Sequence, residues 1–210
     1  MARPPKPERK NELLDQIVEY LLDKTFASLS FRTLADGLGI SSYVLVYHFG
    51  NREELINEIV AHIEARHDSI KPTNPESFTR DDFREWLLES WNELLVDRNR
   101  SLQRLEFEAA VQDSVSPNPR GSALRKFSFW HELAADWLVN QGLPREAAEG
   151  SARLFVSSLY GLQYDFVLNN DGASVKRALH LLVERFFSGL DHALAAVHSE
   201  AGNSEKGGRA

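Results

Sequence analysis

The sequence predicts an all-α protein, in which an N-terminal three-helix module is joined by a fourth helix to a larger helical domain. Three observations lead there. From Asn11 to His198 apolar residues recur at three- and four-residue spacing, the signature of amphipathic helices. No segment shows the strict alternation of a half-buried strand. Serine, asparagine, glycine and proline fall where helices of ordinary length would start and stop.

Leu13, Leu14, Ile17, Val18, Leu21 and Leu22 mark one face of a first helix, from about Lys10 to Lys24. Ser30 caps a short second helix running through Gly37, with Leu34 and Leu38 inward, and Gly39 supplies the turn. Ser41 caps a third helix. Asn51, with Glu54 three residues on, opens a fourth whose stripe Leu55, Ile56, Ile59, Val60 and Ile63 reaches about His67. Pro72 and Pro75 in KPTNPESFT then break the pattern. Five longer helices follow, over residues 80–96, 98–115, 120–140, 144–169 and 173–198, punctuated by Pro117, Pro119, Gly142, Pro144 and Asp171-Gly172. The division expected is a disordered basic arm over 1–9, a head over 10–50, a helical domain over 51–198 with connecting helix 51–67, and a disordered tail over 199–210.

Composition narrows the function classes. The chain has 210 residues, 42% hydrophobic and 26% charged, which suits a globular protein rather than a disordered or fibrous one. No apolar run approaches the roughly eighteen residues that cross a bilayer. The start, MARPPKPERK, lacks the apolar core of a secretory leader, so a cytoplasmic protein without membrane contact is expected. With no cysteine, disulfides, thiolate metal sites and cysteine nucleophiles are excluded. The net charge of -7 argues against a surface basic throughout, yet Arg3, Lys6, Arg9 and Lys10 face only Glu8 in the arm.

Enzyme chemistry finds little support. Glu106 and Glu108 diverge on a helix, His180 and Glu184 form an ordinary solvated pair, and His62 and His67 stand about 140° apart around theirs. No catalytic residue, metal site or cofactor is expected.

The stretch GISSYVLVYHFGNREEL, Gly39 to Leu55, is different. Helix, glycine turn and helix make a helix-turn-helix, whose last helix enters the DNA major groove. Ile40 and Leu45 point to the small core, leaving Ser42, Tyr43, Val44 and Tyr47 outside. Hydroxyls of Ser42 and Tyr43 suit base edges or phosphates, Val44 a thymine methyl, and Tyr47 and His48 phosphate oxygens. Arg52, at the positive end of the fourth helix, adds charge where a phosphate would be drawn. On residues alone the alternative is a helical protein-interaction module, with these aromatics covering a partner.

The segment LSFRTLADGLGISSYVLVYHFGNREEL, Leu29 to Leu55, resembles the tetracycline-repressor (TetR) family of transcriptional regulators. That family commonly shows Leu-Thr-x-Arg-x-x-Ala, then Gly-Val-Ser, a Leu-Tyr pair, His-Phe and Lys-Glu before Leu-Leu. The resemblance implies that Arg32 contacts a base edge or phosphate, that Ser42, Tyr43 and Val44 read sequence, and that Tyr47 and His48 reach the backbone. Arg52 stands where a phosphate-binding lysine is usual. Three positions depart from the pattern: Val46 replaces the tyrosine of the Leu-Tyr pair, Tyr43 a frequent glycine, and Thr25 a helix-ending glycine.

The resemblance further implies a homodimeric repressor, released from a palindromic double-stranded DNA operator by a small-molecule effector. An apolar or aromatic effector is expected, because Asn92, Gln103, His131 and Gln163 are polar residues among aromatics such as Phe127, Trp130, Tyr160 and Tyr164. Leu154, Ser158, Gly161, Leu162 and Asp165, with the stripe Leu179 to Val197, mix small and apolar residues as a helical interface would. The dimer is therefore expected to form through the last two long helices.

Overall fold

The structure is a computed structural model, and it describes residues 7–66, 71–119 and 121–207. Among these residues it is all-α, with helices α1 (Pro7–Leu21), α2 (Phe31–Leu38), α3 (Ser42–Phe49), α4 (Arg52–Arg66), α5 (Arg80–Leu94), α6 (Asp97–Ser114), α7 (Ser122–Asn140), α8 (Arg145–Asn169) and α9 (Gly172–Gly207). Single 3-10 turns stand at Phe26–Ser28 and Pro75–Ser77.

The local chemistry follows the caps. Ser30 and Thr33 make a reciprocal capping box at the start of α2. The Ser41 hydroxyl accepts the N–H of Tyr43 at 3.2 Å, and the Asn51 side chain accepts that of Glu54 at 2.9 Å. Gly39 takes the left-handed conformation, φ 65°, that ends α2 and turns the chain toward α3. Thr25 is extended at φ -104°, so this turn places no demand for glycine there.

Both chain ends are more helical than expected. Helix α1 starts at Pro7, so residues 7–9 of the expected arm are helical, and α9 continues through the expected tail to Gly207. Proline suits a first helical turn, whose N–H groups have no partner anyway, and no proline interrupts the chain beyond His198. The rest of the arm, with Arg3 and Lys6, and residues 208–210 lie outside the described residues.

The chain forms two compact units, and their division differs from a boundary at residue 50. The first holds α1 to α4 together with α6, and the second holds α5 and α7 to α9. Packing explains this: Leu55, Ile59 and Ile63 of α4 and Leu102, Leu105 and Ala109 of α6 share one buried core with Ile17, Leu21, Leu34, Leu45 and Phe49. Polar ties reinforce it. Lys10 of α1 reaches Glu58 of α4 at 2.7 Å, Asp15 accepts from His62 at 2.9 Å and Arg66 at 2.5 Å, and Arg98 of α6 pairs with Glu19. Within this unit the ring of Tyr20 closes against Gly37, and its hydroxyl donates to the Thr33 carbonyl at 3.2 Å.

The second unit is built around aromatic rings. Phe83 stacks on Trp137 at 4.3 Å and Phe155 on Phe186 at 3.9 Å between centroids. The buried indole of Trp137 finds its acceptor in the Phe78 carbonyl, 3.0 Å away.

Candidate functional site

Helix α3 carries the site because its eight residues divide cleanly by position. Leu45 and Phe49, one turn apart, are buried and fasten the helix to the core, with Ile40 half-buried beside them. At 100° per residue, Val44 and His48 flank this line on one side, and the structure leaves both half-buried. Ser42, Tyr43, Val46 and Tyr47 turn outward. Tyr43 is 73% exposed, Val46 47% and Tyr47 44%, at spacings of three and four residues that place them on one face.

The outer face thus differs from the expected one at two valines. Val44 packs partly against the core, whereas Val46, absent from the sequence-based set, stands between Tyr43 and Tyr47. The signal was available: Val46 follows Tyr43 by three residues, and Val44 precedes the half-buried His48 by four.

His48 is held as a neutral imidazole. Burial of the ring pushes its pKa below the usual 6.5, helped by the positive charges of Lys10 and Arg9. Its Nδ1 is buried without a hydrogen-bond partner, so the tautomer protonated on Nε2 is the cheaper one, sparing an orphaned donor. His48 thus offers a neutral donor rather than a cation. The sign of the pH effect follows. Between the lowered folded pKa and 6.5 the unfolded chain binds more protons, so this group's contribution to stability is complete above about 6.5. It is lost as the pH falls through the folded pKa. An NMR titration should give His48 a midpoint below 6.5, and a midpoint at or above that value contradicts the assignment.

Cations surround the helix unevenly. The ammonium of Lys10 lies 5.7 Å from the Phe49 ring centre, which brings the basic start of α1 beside the end of α3. Arg32 on α2 is exposed and forms no hydrogen bond or ion pair among the described residues. Arg52 is engaged with the fold: Nε donates to the Leu29 carbonyl at 2.8 Å and Nη2 to the Phe26 carbonyl at 2.6 Å.

The eight residues expected to hold an effector are divided between the two units. Gln103 is buried in the first unit. In the second, Phe127 stacks against His131 at 6.4 Å and meets the tilted ring of Tyr160 at 5.6 Å, with the Arg153 guanidinium 5.6 Å from its centre. His131 Nε2 lies 3.1 Å from the Glu149 carbonyl. Trp130 faces Trp86 at 6.1 Å. Asn92 accepts from Lys176 at 2.8 Å beside a pocket of about 110 Å³, Gln163 is half-buried, and Tyr164 is exposed. A larger groove of about 330 Å³ runs along α8 and α9, lined by Leu154, Phe155, Ser158, Leu182, Arg185 and Gly189 among others. Among the described residues no cluster of His, Asp or Glu could hold a metal, and no helix is long and apolar enough to cross a membrane.

No model of a known protein family matches the chain, and no curated protein matches it. Solved structures do. A TetR-like transcriptional regulator from Rhodococcus sp. RHA1 superposes with a TM-score of 0.67 at 20% identity, covering 89% of this chain and all of that one. A transcriptional regulator from Rhodococcus sp. Rha1 gives 0.66 at 18%, covering 88% and 97%. The multidrug binding protein EbrR, complexed with imidazole, gives 0.54 at 24%, covering 87% and 93%. At these identities what is shared is the fold: the chain folds as TetR-type regulators do.

Proposed function

We propose that the protein is a member of the TetR family, a DNA-binding transcriptional regulator rather than an enzyme. The observation that carries this reading is the outer face of α3, where Ser42, Tyr43, Val46 and Tyr47 are exposed together on a helix rigidly backed by Leu45 and Phe49. A solvent-exposed row of aromatic and hydroxyl groups has no role in the core, and an α-helix is the element that a major groove admits. Ser42 and Tyr43 read base edges, with Val44 and Val46 supplying apolar contact. Tyr47, His48 and Arg32 take phosphates, joined by the part of the Arg52 guanidinium not given to carbonyls. The fold shared with transcriptional regulators supports the same reading.

The finer reading is a homodimeric, cytoplasmic repressor released from a palindromic operator by a small apolar or aromatic effector. Support for the dimer lies in α8 and α9. Leu154 is 72% exposed beside the 330 Å³ groove. Gly150, Gly161 and Gly189 sit within helices although an added Cβ would meet nothing within 4 Å. A mid-helix glycine costs about 1 kcal/mol relative to alanine. Close approach of a second copy would use the room these glycines leave, and a two-fold axis there would set two α3 helices on successive major grooves, roughly 34–36 Å apart. For the effector, the cluster of Phe127, His131 and Tyr160 is the strongest part of the expected set, with Asn92, Gln103, Trp130, Gln163 and Tyr164 as further candidates. Linkage then requires that operator weaken effector binding by the factor with which effector weakens operator binding.

Selection of duplexes from a random pool tests the reading. A selected palindrome whose binding falls steeply with salt is expected, and Tyr43→Ala should change the bases preferred. Binding indifferent to sequence and salt would end the DNA reading and favour the protein-interaction module.

A further inference from the structure

A second set of contacts converges on the 3-10 turn Phe26–Ser28, away from the outer face of α3. Glu108 of α6 accepts the N–H of Ala27 through Oε1 at 3.2 Å. Arg52 of α4 takes the Phe26 and Leu29 carbonyls from another side. Arg104, one turn before Glu108, donates from Nη2 to the Leu21 and Leu22 carbonyls at 3.0 and 3.4 Å, and its Nη1 lies 3.6 Å from Glu108 Oε2. Beneath them Phe26 is fully buried in the same core as Leu105 and Ala109. The turn leads through Leu29 and the cap Ser30 directly into α2, and the Thr33 hydroxyl donates back to the Ser28 carbonyl at 3.3 Å.

Resting on the reading of α3 as a DNA-contacting helix, we propose that Glu108 is a positioning residue for the head: its carboxylate registers α6 against the turn that sets the direction of α2 and α3. Two features separate this role from general stability. Helix α6 already has its own anchorage, because Leu102, Leu105 and Ala109 are buried without help from Glu108. The chain also enters α6 from α5 and leaves it toward α7, both in the second unit, so α6 is the segment of the first unit covalently continuous with the second at both ends. A displacement of α6 meets the backbone of the head at Ala27, four residues before α2. An apolar contact tolerates sliding, whereas a hydrogen bond with a required distance and angle does not.

The experiment uses the full chain and a duplex selected by the wild type from a random pool. At a temperature well below the melting transition, Glu108→Ala is expected to be folded and to bind that duplex about five- to tenfold more weakly, because binding must then meet the cost of returning α3 to its place. Glu108→Gln keeps an acceptor oxygen at the same place and should recover most of the affinity. In amide NMR spectra without DNA, Glu108→Ala should shift the signals of Ala27 and of residues 42–49 together, whereas Glu108→Gln should leave those of 42–49 near wild type. Wild-type affinity and an unmoved α3 in folded Glu108→Ala overturn the proposal. So does Glu108→Gln binding as poorly as Glu108→Ala, which would put the effect on the charge facing Arg104. If Glu108→Ala does not fold, Glu108→Leu, which keeps the side-chain volume, takes its place in both comparisons. If the wild type selects no duplex, the DNA reading fails by itself, and the α3 shifts still decide whether Glu108 positions the head.

Discussion

Gly37→Ala is expected to destabilise the protein by about 1 kcal/mol, the scale of the ring contacts that the new methyl group would break. Helix propensity alone points the other way, since alanine is favoured over glycine within a helix by about 1 kcal/mol. Contact decides the sign. A Cβ at Gly37 would lie 2.1 Å from Cε2 of Tyr20, 2.8 Å from Cζ and 2.9 Å from Cδ2. To swing aside the ring must give up its hydroxyl contact to the Thr33 carbonyl at 3.2 Å and the Lys24 ammonium 4.3 Å from its centre. Either that contact set breaks or α2 moves away from α1, carrying α3 with it. Urea unfolding measures the effect, and in a Tyr20→Leu background the same substitution should become neutral or stabilising. A Gly37→Ala protein more stable than its parent would show that the ring yields freely.

Leu154→Asp should separate protomers with little effect on the fold of each. In the single chain Leu154 is 72% exposed, and a surface substitution of that kind usually changes stability by no more than about 0.5 kcal/mol. In a two-fold interface through α8 and α9 the change enters twice, placing two carboxylates where apolar surface should close. Desolvating them costs several kcal/mol, which the Arg185 guanidinium in the same groove offsets only in part, and each 1.4 kcal/mol is tenfold in association. Sedimentation at micromolar concentration should therefore show dimers for the parent and monomers for the variant. An unchanged sedimentation coefficient removes the α8–α9 surface from consideration.

The parts of this structure legible in the sequence are those set by short-range chemistry. Ser30, Ser41 and Asn51 cap helices where their side chains and spacing said they would, and Leu45 and Phe49 face inward because they are one turn apart. The outer face of α3 was mostly readable for the same reason, with the two valines exchanged. Which flank of a short helix is covered depends on neighbouring elements, and these lie elsewhere in the chain. Arg52 makes the point more sharply. Its position at the start of α4 is equally compatible with a phosphate contact and with the carbonyls of Phe26 and Leu29, and only the path of the chain more than twenty residues earlier brings those carbonyls within reach. The residues named for an effector are legible only as helix positions for the same reason, since polar residues among aromatics mark helices but not which helix faces which. Glu108 shows the converse: a poor catalytic candidate in the sequence became informative once Ala27 stood beside it.

The inclusion of α6 in the first unit has a practical corollary for anyone wishing to exchange or isolate the head. A fragment ending at Lys71 keeps α1 to α4 but lacks Leu102, Leu105 and Ala109, leaving the core they share with Phe26 and the α4 stripe without part of its cover. A head grafted onto a different helical domain at that boundary would meet a foreign helix in place of the α6 that completes its core. The transferable module is discontinuous, and its core is complete only when residues 97–114 travel with α1 to α4.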